Sequence, residues 1–150
     1  MRKPLFILLI LVLNFCSRSF GQSKPVRHVA DSVARIEMHL SAFGVEADSF
    51  PTIAIVIDFV NGYSKCVKSY FDPDIKPSFD TFSVEDRRKI ALLFKNFDLT
   101  NLKAEYTVSR IDQPTSTTII YIGAQKFVIK DYGLVGPYPL RELYKIAYKL

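Results

Sequence analysis

The stretch from Ala104 to Gly133, AEYTVSRIDQPTSTTIIYIGAQKFVIKDYG, limits what this chain can fold into more than any other. Tyr106 and Val108 alternate with polar neighbours, Thr117 to Ile122 is β-branched and aromatic, and Phe127 to Ile129 is a short apolar run, so all three read as strands. Gly123-Ala124 between the last two carries the glycine-first signature of a type II′ hairpin turn. A two-residue loop sets every pair behind it. Ile122 should face Gln125, Tyr121 Lys126, Ile120 Phe127, Ile119 Val128 and Thr118 Ile129. Thr118, Ile120, Ile122, Phe127 and Ile129 then form the core face, while Thr117, Ile119, Tyr121, Lys126, Val128 and Lys130 form a mixed, partly wet face. The same geometry brings the loop entering the hairpin, Ile111 to Thr115, to one end of the sheet together with the loop leaving it, Asp131 to Pro139.

A second ribbon is announced by Thr52 to Val60, TIAIVIDFV, followed at once by Asn61-Gly62. A two-residue type I′ turn there pairs Val60 with Tyr63, Phe59 with Ser64, Asp58 with Lys65, Ile57 with Cys66 and Val56 with Val67. Ile53, Ile55, Ile57 and Phe59 then share a face with Cys66, which makes that thiol a small core group with a high pKa. This apolar run is also a candidate sheet edge, and unpaired edges invite association.

Between Asp31 and Gly44 the alternation Ile36-Glu37-Met38-His39-Leu40-Ser41 favours a strand over the helix that Val33, Ile36, Leu40 and Phe43 would also allow. The Pro-containing segment Phe71 to Phe82 is a connection that carries one edge of the fold. Ser83 with Asp86 three residues on caps a helix whose inner side is Ile90, Leu93, Phe94 and Phe97. Pro139 opens a second helix with the inner stripe Leu140, Leu143, Tyr144 and Ala147, flanked by Ile146 and Leu150. The expected architecture is α+β: an antiparallel sheet of about five or six strands built from two hairpins, with two helices packed on one face, in the order β-β-β-α-β-β-β-α.

The domain division follows from the N-terminus. Arg2 and Lys3, the apolar run Leu5 to Phe15 and the small-x-small site Ser19-Phe20-Gly21 read as a signal peptide over residues 1–22. Residues 23–30 are a flexible lead-in, and 31–150 a single α+β domain. Export to the periplasm or beyond is the expected location. A lipid anchor at Cys16 is disfavoured because Phe15 stands where a small residue is needed. The apolar run is too short to remain as a membrane span, which needs about 20 residues.

Loss of Arg2, Lys3 and Arg18 with the signal leaves 17 basic against 15 acidic residues, a net charge of +2. With Arg87-Arg88-Lys89 as the longest basic run, and that on a helix face, no nucleic-acid footprint is expected. Cys66 alone survives cleavage, which excludes an internal disulfide and a thiolate metal site. No cofactor is called for.

The phrases NFDLTNLKAEYTVSRIDQPTSTTIIYIG and KFVIKDYGLVGPYPLRELYKI resemble an uncharacterised domain family of small exported bacterial proteins of the Bacteroidota type. The resemblance covers Ser49 to Leu150 and lies in a helix followed by a D-x-P-T strand, a Tyr-Gly after the hairpin and a final helix. It implies the fold and export, and no activity. Some members carry a cysteine pair near the first strands, where this chain has Ser49, Phe50 and Pro51, so a cysteine-based role is not implied.

The residues that carry chemistry are sparse. Asp112, Gln113 and Thr115 in one loop, and Asp131, Tyr132 and Tyr138 in its neighbour, gather carboxylates, hydroxyls and aromatic surface at one end of the sheet. They form the candidate ligand or partner surface, although Asp before Pro and Asp before Tyr-Gly are also ordinary turn chemistry. A catalytic set is not expected: His28 is in the lead-in, His39 is on the polar phase of a strand, and a Cys66–His39 dyad requires the other hairpin face. The leading reading is a non-catalytic binding module that recognises an envelope protein or glycan as a monomer or weak homodimer. The alternatives are a small hydrolase using Asp112 and Asp131, and a domain that associates with itself through a strand edge.

Overall fold

A computed structural model describes residues 33–45 and 47–149. The expected signal peptide over 1–22 and lead-in over 23–30 lie outside the described residues, as does Leu150. Among the described residues ten elements follow one another: β1 (Arg35–Ser41), β2 (Thr52–Asp58), β3 (Tyr63–Ser69), β4 (Ser78–Asp80), α1 (Val84–Phe94), a 3₁₀ turn (Leu99–Asn101), β5 (Glu105–Thr107), β6 (Thr115–Ile122), β7 (Gln125–Tyr132) and α2 (Leu140–Tyr148).

The strands make one seven-stranded sheet in the order β4-β3-β2-β1-β6-β7-β5. It is mixed rather than antiparallel, because β5 runs parallel to β7. The connection from β5 to β7 passes through β6, so β5 reaches the far edge already pointing the same way as β7. The three-residue β4, within the segment expected to carry one edge of the fold, is the strand beyond the six expected, and it and the equally short β5 form the two edges. β2 is therefore interior, with β3 on one side and β1 on the other, and the Ile53 run has no free edge to offer a second molecule.

The segment 35–41 is a strand, and it is the middle of the sheet. Its alternation is consistent with that position: Ile36, Met38 and Leu40 are buried while His39 is exposed. The same phase in its neighbours supplies Ile53, Ile55, Ile57, Cys66, Ile120 and Ile129 to a single core. Both helices cover this side, α1 with Ile90 and Phe94 and α2 with Leu140, Leu143, Tyr144, Ala147 and Tyr148. Ser83 caps α1 as expected, its hydroxyl accepting from the Asp86 amide at 3.0 Å. Arg87 ties α1 to the β2–β3 loop by donating to the Gly62 carbonyl.

Between β6 and β7 the observed pairs are those the glycine-first turn requires, from Ile122–Gln125 through Thr118–Ile129. Gly123, at the first central position, takes φ 53°. The other hairpin is displaced by two residues. Asp58 faces Tyr63, Val56 faces Lys65 and Ile55 faces Cys66, so 59–62 is a four-residue loop and the expected Asp58–Lys65 pair is not formed. The cause is Asp58 itself. Its carboxylate accepts from the Asn61 amide at 2.8 Å and the Asn61 side chain at 2.9 Å, which starts the turn earlier than an Asn-Gly pair alone would. Because side chains alternate with period two, a shift of two keeps every residue on its face, and Cys66 remains in the core. Among the described residues no helix is long and apolar enough to cross a membrane.

Candidate functional site

The loops before β6 and after β7 do meet at one end of the sheet. The Gly133 amide donates to the Pro114 carbonyl at 2.9 Å, and the Gln113 amide to the Tyr132 hydroxyl at 3.3 Å. The six residues expected to share a surface there are nevertheless divided by the sheet. β7 runs on through Asp131 and Tyr132 instead of ending at Lys130, so these two neighbours point to opposite sides.

Asp131 falls on the core side, is fully buried, and accepts from the amides of Val135 at 2.9 Å and Gly136 at 2.8 Å. It is the anchor of the 133–136 loop and no part of a surface. Two further buried polar groups lie beside it, Ser116 on the facing strand and Tyr148 on α2, joined by a 2.6 Å hydrogen bond. The Tyr144 ring stacks on Tyr148 with centroids 5.6 Å apart. Burial, with the Asp131 charge as the second cause, pushes the Tyr144 phenol far above its ordinary pKa, and burial does the same for Tyr148.

Tyr138 is on the helix side as well, edge-on to Phe97 at 6.1 Å, with its hydroxyl donating to the Leu93 carbonyl. Asp112, exposed and at φ 57°, forms the tip of its loop, and Gln113 folds back on the Ile111 carbonyl. Thr115 and Tyr132 face one another on the side of the sheet away from the helices. The two aspartates of the alternative hydrolase reading are not brought to one bond, since both oxygens of Asp131 are committed inside the core. Cys66 and His39 are on opposite faces of the sheet, so no thiol–imidazole dyad forms. Burial raises the Cys66 thiol above its ordinary pKa, with the Lys68 charge acting the other way.

The surface that sequence reasoning did not single out is the other side of the same sheet. The helices leave it uncovered, and the register arranges it in rows across the strands. One row is Lys65, Val56, Glu37, Ile119 and Val128; the next is Tyr63, Asp58, Arg35, Tyr121 and Lys126. The central strand β1 puts Glu37 and Arg35 in the middle of these rows, with Val56 and Ile119 on either side of Glu37 and Val128 beyond Ile119. At the end near Asn61 this face holds an open groove of about 420 Å³ lined by Ala34, Arg35, Glu37, Asp58, Val60, Asn61 and Tyr121.

Side chains in the groove hold one another. Arg35 Nη2 lies 2.7 Å from Glu37 Oε1, and Asn61 Nδ2 2.9 Å from Asp58 Oδ2. The Asn61 hydrogen bonds keep the Asp58 carboxyl below its ordinary pKa. The Tyr121 phenol is raised, first by desolvation and then by the charge of Glu37 and a side-chain hydrogen bond to it. Arg35 Nε is buried without an acceptor. The signal for this site was available in the alternation of β1, whose polar phase is Arg35, Glu37 and His39.

No group of three or more His, Cys, Asp or Glu side chains suited to a metal ion occurs among the described residues. Compared with protein-family models, with curated proteins and with solved structures, the chain matches none of them.

Proposed function

We propose that this is an exported, non-catalytic binding module of the cell envelope, and that it engages its partner with the sheet face its helices leave uncovered. The observation that carries the reading is one-sided cover. Seven strands are roofed by α1 and α2 on one side, while the other presents Val56 and Ile119 on either side of Glu37, with Val128 beyond Ile119 and Lys65 beyond Val56. Apolar side chains interleaved with charged ones on an uncovered sheet face offer another molecule both packing surface and hydrogen-bonding groups. Export is supported by the pattern of charged, apolar and small residues over 1–22.

Gln113, Thr115 and Tyr132 extend the same face at its far end, with Asp112 at the adjoining tip; Asp131 and Tyr138 serve the fold instead. The test is retention of the purified protein on envelope material. Ile119→Lys and Val56→Lys should abolish retention, Tyr132→Ala with Asp112→Ala should weaken it, and Val84→Lys on the helix side should leave it unchanged. Equal retention of all variants would remove the open face from consideration.

A further inference from the structure

We infer that the groove at the Asn61 end of the open face takes a neutral, extended oligosaccharide of β-linked sugars, laid across the strands. This rests on the binding-module reading and names the chemical class of its ligand. The row crossing the sheet there has a tyrosine at two of its five positions, Tyr63 on β3 and Tyr121 on β6, with Asp58 and Arg35 between them. Tyr63 is 53% exposed, and Tyr121 lines the groove. Three strand spacings part them, about 14 Å at ~4.8 Å each. Two aromatic side chains so placed offer an extended chain a packing surface at each end, because the C–H face of a sugar with equatorial hydroxyls is flat and apolar.

Asp58 and Arg35 stand between the rings, with Glu37 in the next row and Asn61 in the adjoining loop, so both kinds of hydrogen-bonding group line the groove. Arg35 and Asn61 donate, Glu37 and Asp58 accept, and sugar hydroxyls require both. The Arg35–Glu37 and Asn61–Asp58 contacts hold these groups in place before any ligand arrives, so little side-chain freedom is lost on binding. Other chemistries fit less well. One guanidinium beside two carboxylates leaves no surplus positive charge for a phosphate or carboxylate. A groove on the face of a sheet, not at its edge, gives a peptide no strand to add to. Ala34 and Val60 are the only wholly apolar side chains in the lining, too few for a lipid tail.

The experiment is a titration of the ¹⁵N-labelled protein with hexamers of β-1,4-linked N-acetylglucosamine and of β-1,4-linked glucose, with an α-1,4-linked glucose hexamer and inorganic phosphate as controls. A β-linked hexamer should shift the amides of Arg35, Asp58, Asn61 and Tyr121. Tyr121→Ala, and Tyr63→Ala as a second variant nearer the sheet edge, should each lower that affinity about tenfold or more. Tyr121→Phe should keep most of it. Absence of shifts with both β-linked hexamers, affinity in both alanine variants unchanged from that of the parent protein, or the same shifts with phosphate overturns the inference. If neither hexamer shifts the groove while envelope retention still depends on Ile119, the ligand class is wrong and the broader reading survives.

Discussion

Asp131 and Tyr132 are consecutive in the chain and serve opposite sides of the sheet: the Asp131 carboxylate closes the 133–136 loop inside the core, and the Tyr132 hydroxyl takes the Gln113 amide on the outer side. Asp131→Asn replaces one acceptor by a donor that faces a backbone amide, and should cost about 2–4 kcal/mol. Gly136→Ala should act on the same contact, because a Cβ there would stand 2.7 Å from Asp131 Oδ2 and 2.9 Å from Leu140 Cδ1. Urea unfolding of both variants checks this; a loss below about 0.5 kcal/mol in either would contradict the anchoring role.

Gly44 and Gly133 share a φ of 88° but not their surroundings. A Cβ at Gly44 meets nothing within 4 Å, whereas at Gly133 it would run into Val108. Gly44→Ala should therefore cost only backbone strain, about 1–2 kcal/mol. Gly133→Ala should cost about 1–3 kcal/mol more, and Val108→Ala in the same chain should return part of that excess. Denaturation midpoints of the three variants measure the difference.

Stability should fall at alkaline pH. Cys66, Tyr144 and Tyr148 all have folded pKa values raised chiefly by burial, so above the ordinary thiol and phenol range the unfolded chain releases protons that the folded chain keeps. Their contribution is complete below about pH 8 and is lost progressively above about pH 9 to 10, the ordinary pKa range of these groups. A urea midpoint followed from pH 7 to pH 11 should be level and then decline. Cys66→Ala and Tyr148→Phe should each flatten the decline, while a midpoint that rises with pH would contradict the sign.

Adjacent residues of β6 should respond in opposite ways to the same substitution. Ile120 is fully buried, and Ile120→Ser should cost about 3–5 kcal/mol, whereas Ile119→Ser on the uncovered face should cost about 1 kcal/mol or less. Equal losses would mean that something covers both faces.

Much of this fold was legible in local patterning, and the misses have identifiable physics. The β6–β7 register followed from Gly123 because a glycine-first two-residue turn admits one pairing. At Asn61-Gly62 the same logic failed by two residues, since a carboxylate upstream, Asp58, competes for the turn amides. Faces survived that slip because they depend only on parity. Parity also held the information about Asp131: with Ile129 in the core, the next residue of that phase had to face inward, and only the assumption that the strand stopped at Lys130 placed it on the surface. The parallel placement of β5 and the brevity of β4 were not legible, because edge strands of three residues carry almost no period. The open face was visible as alternation but not as a surface, since its rows join residues from five strands and exist only once the strand order is known.

The most direct test of the account is a protection footprint of the protein bound to envelope material. Hydrogen exchange with and without the bound material should show slowing at Arg35, Glu37, Val56, Ile119 and Tyr121 on the uncovered face, and none at Val84 and Leu92 on the outside of α1. Protection confined to α1 and α2, with the sheet residues unchanged, would contradict it.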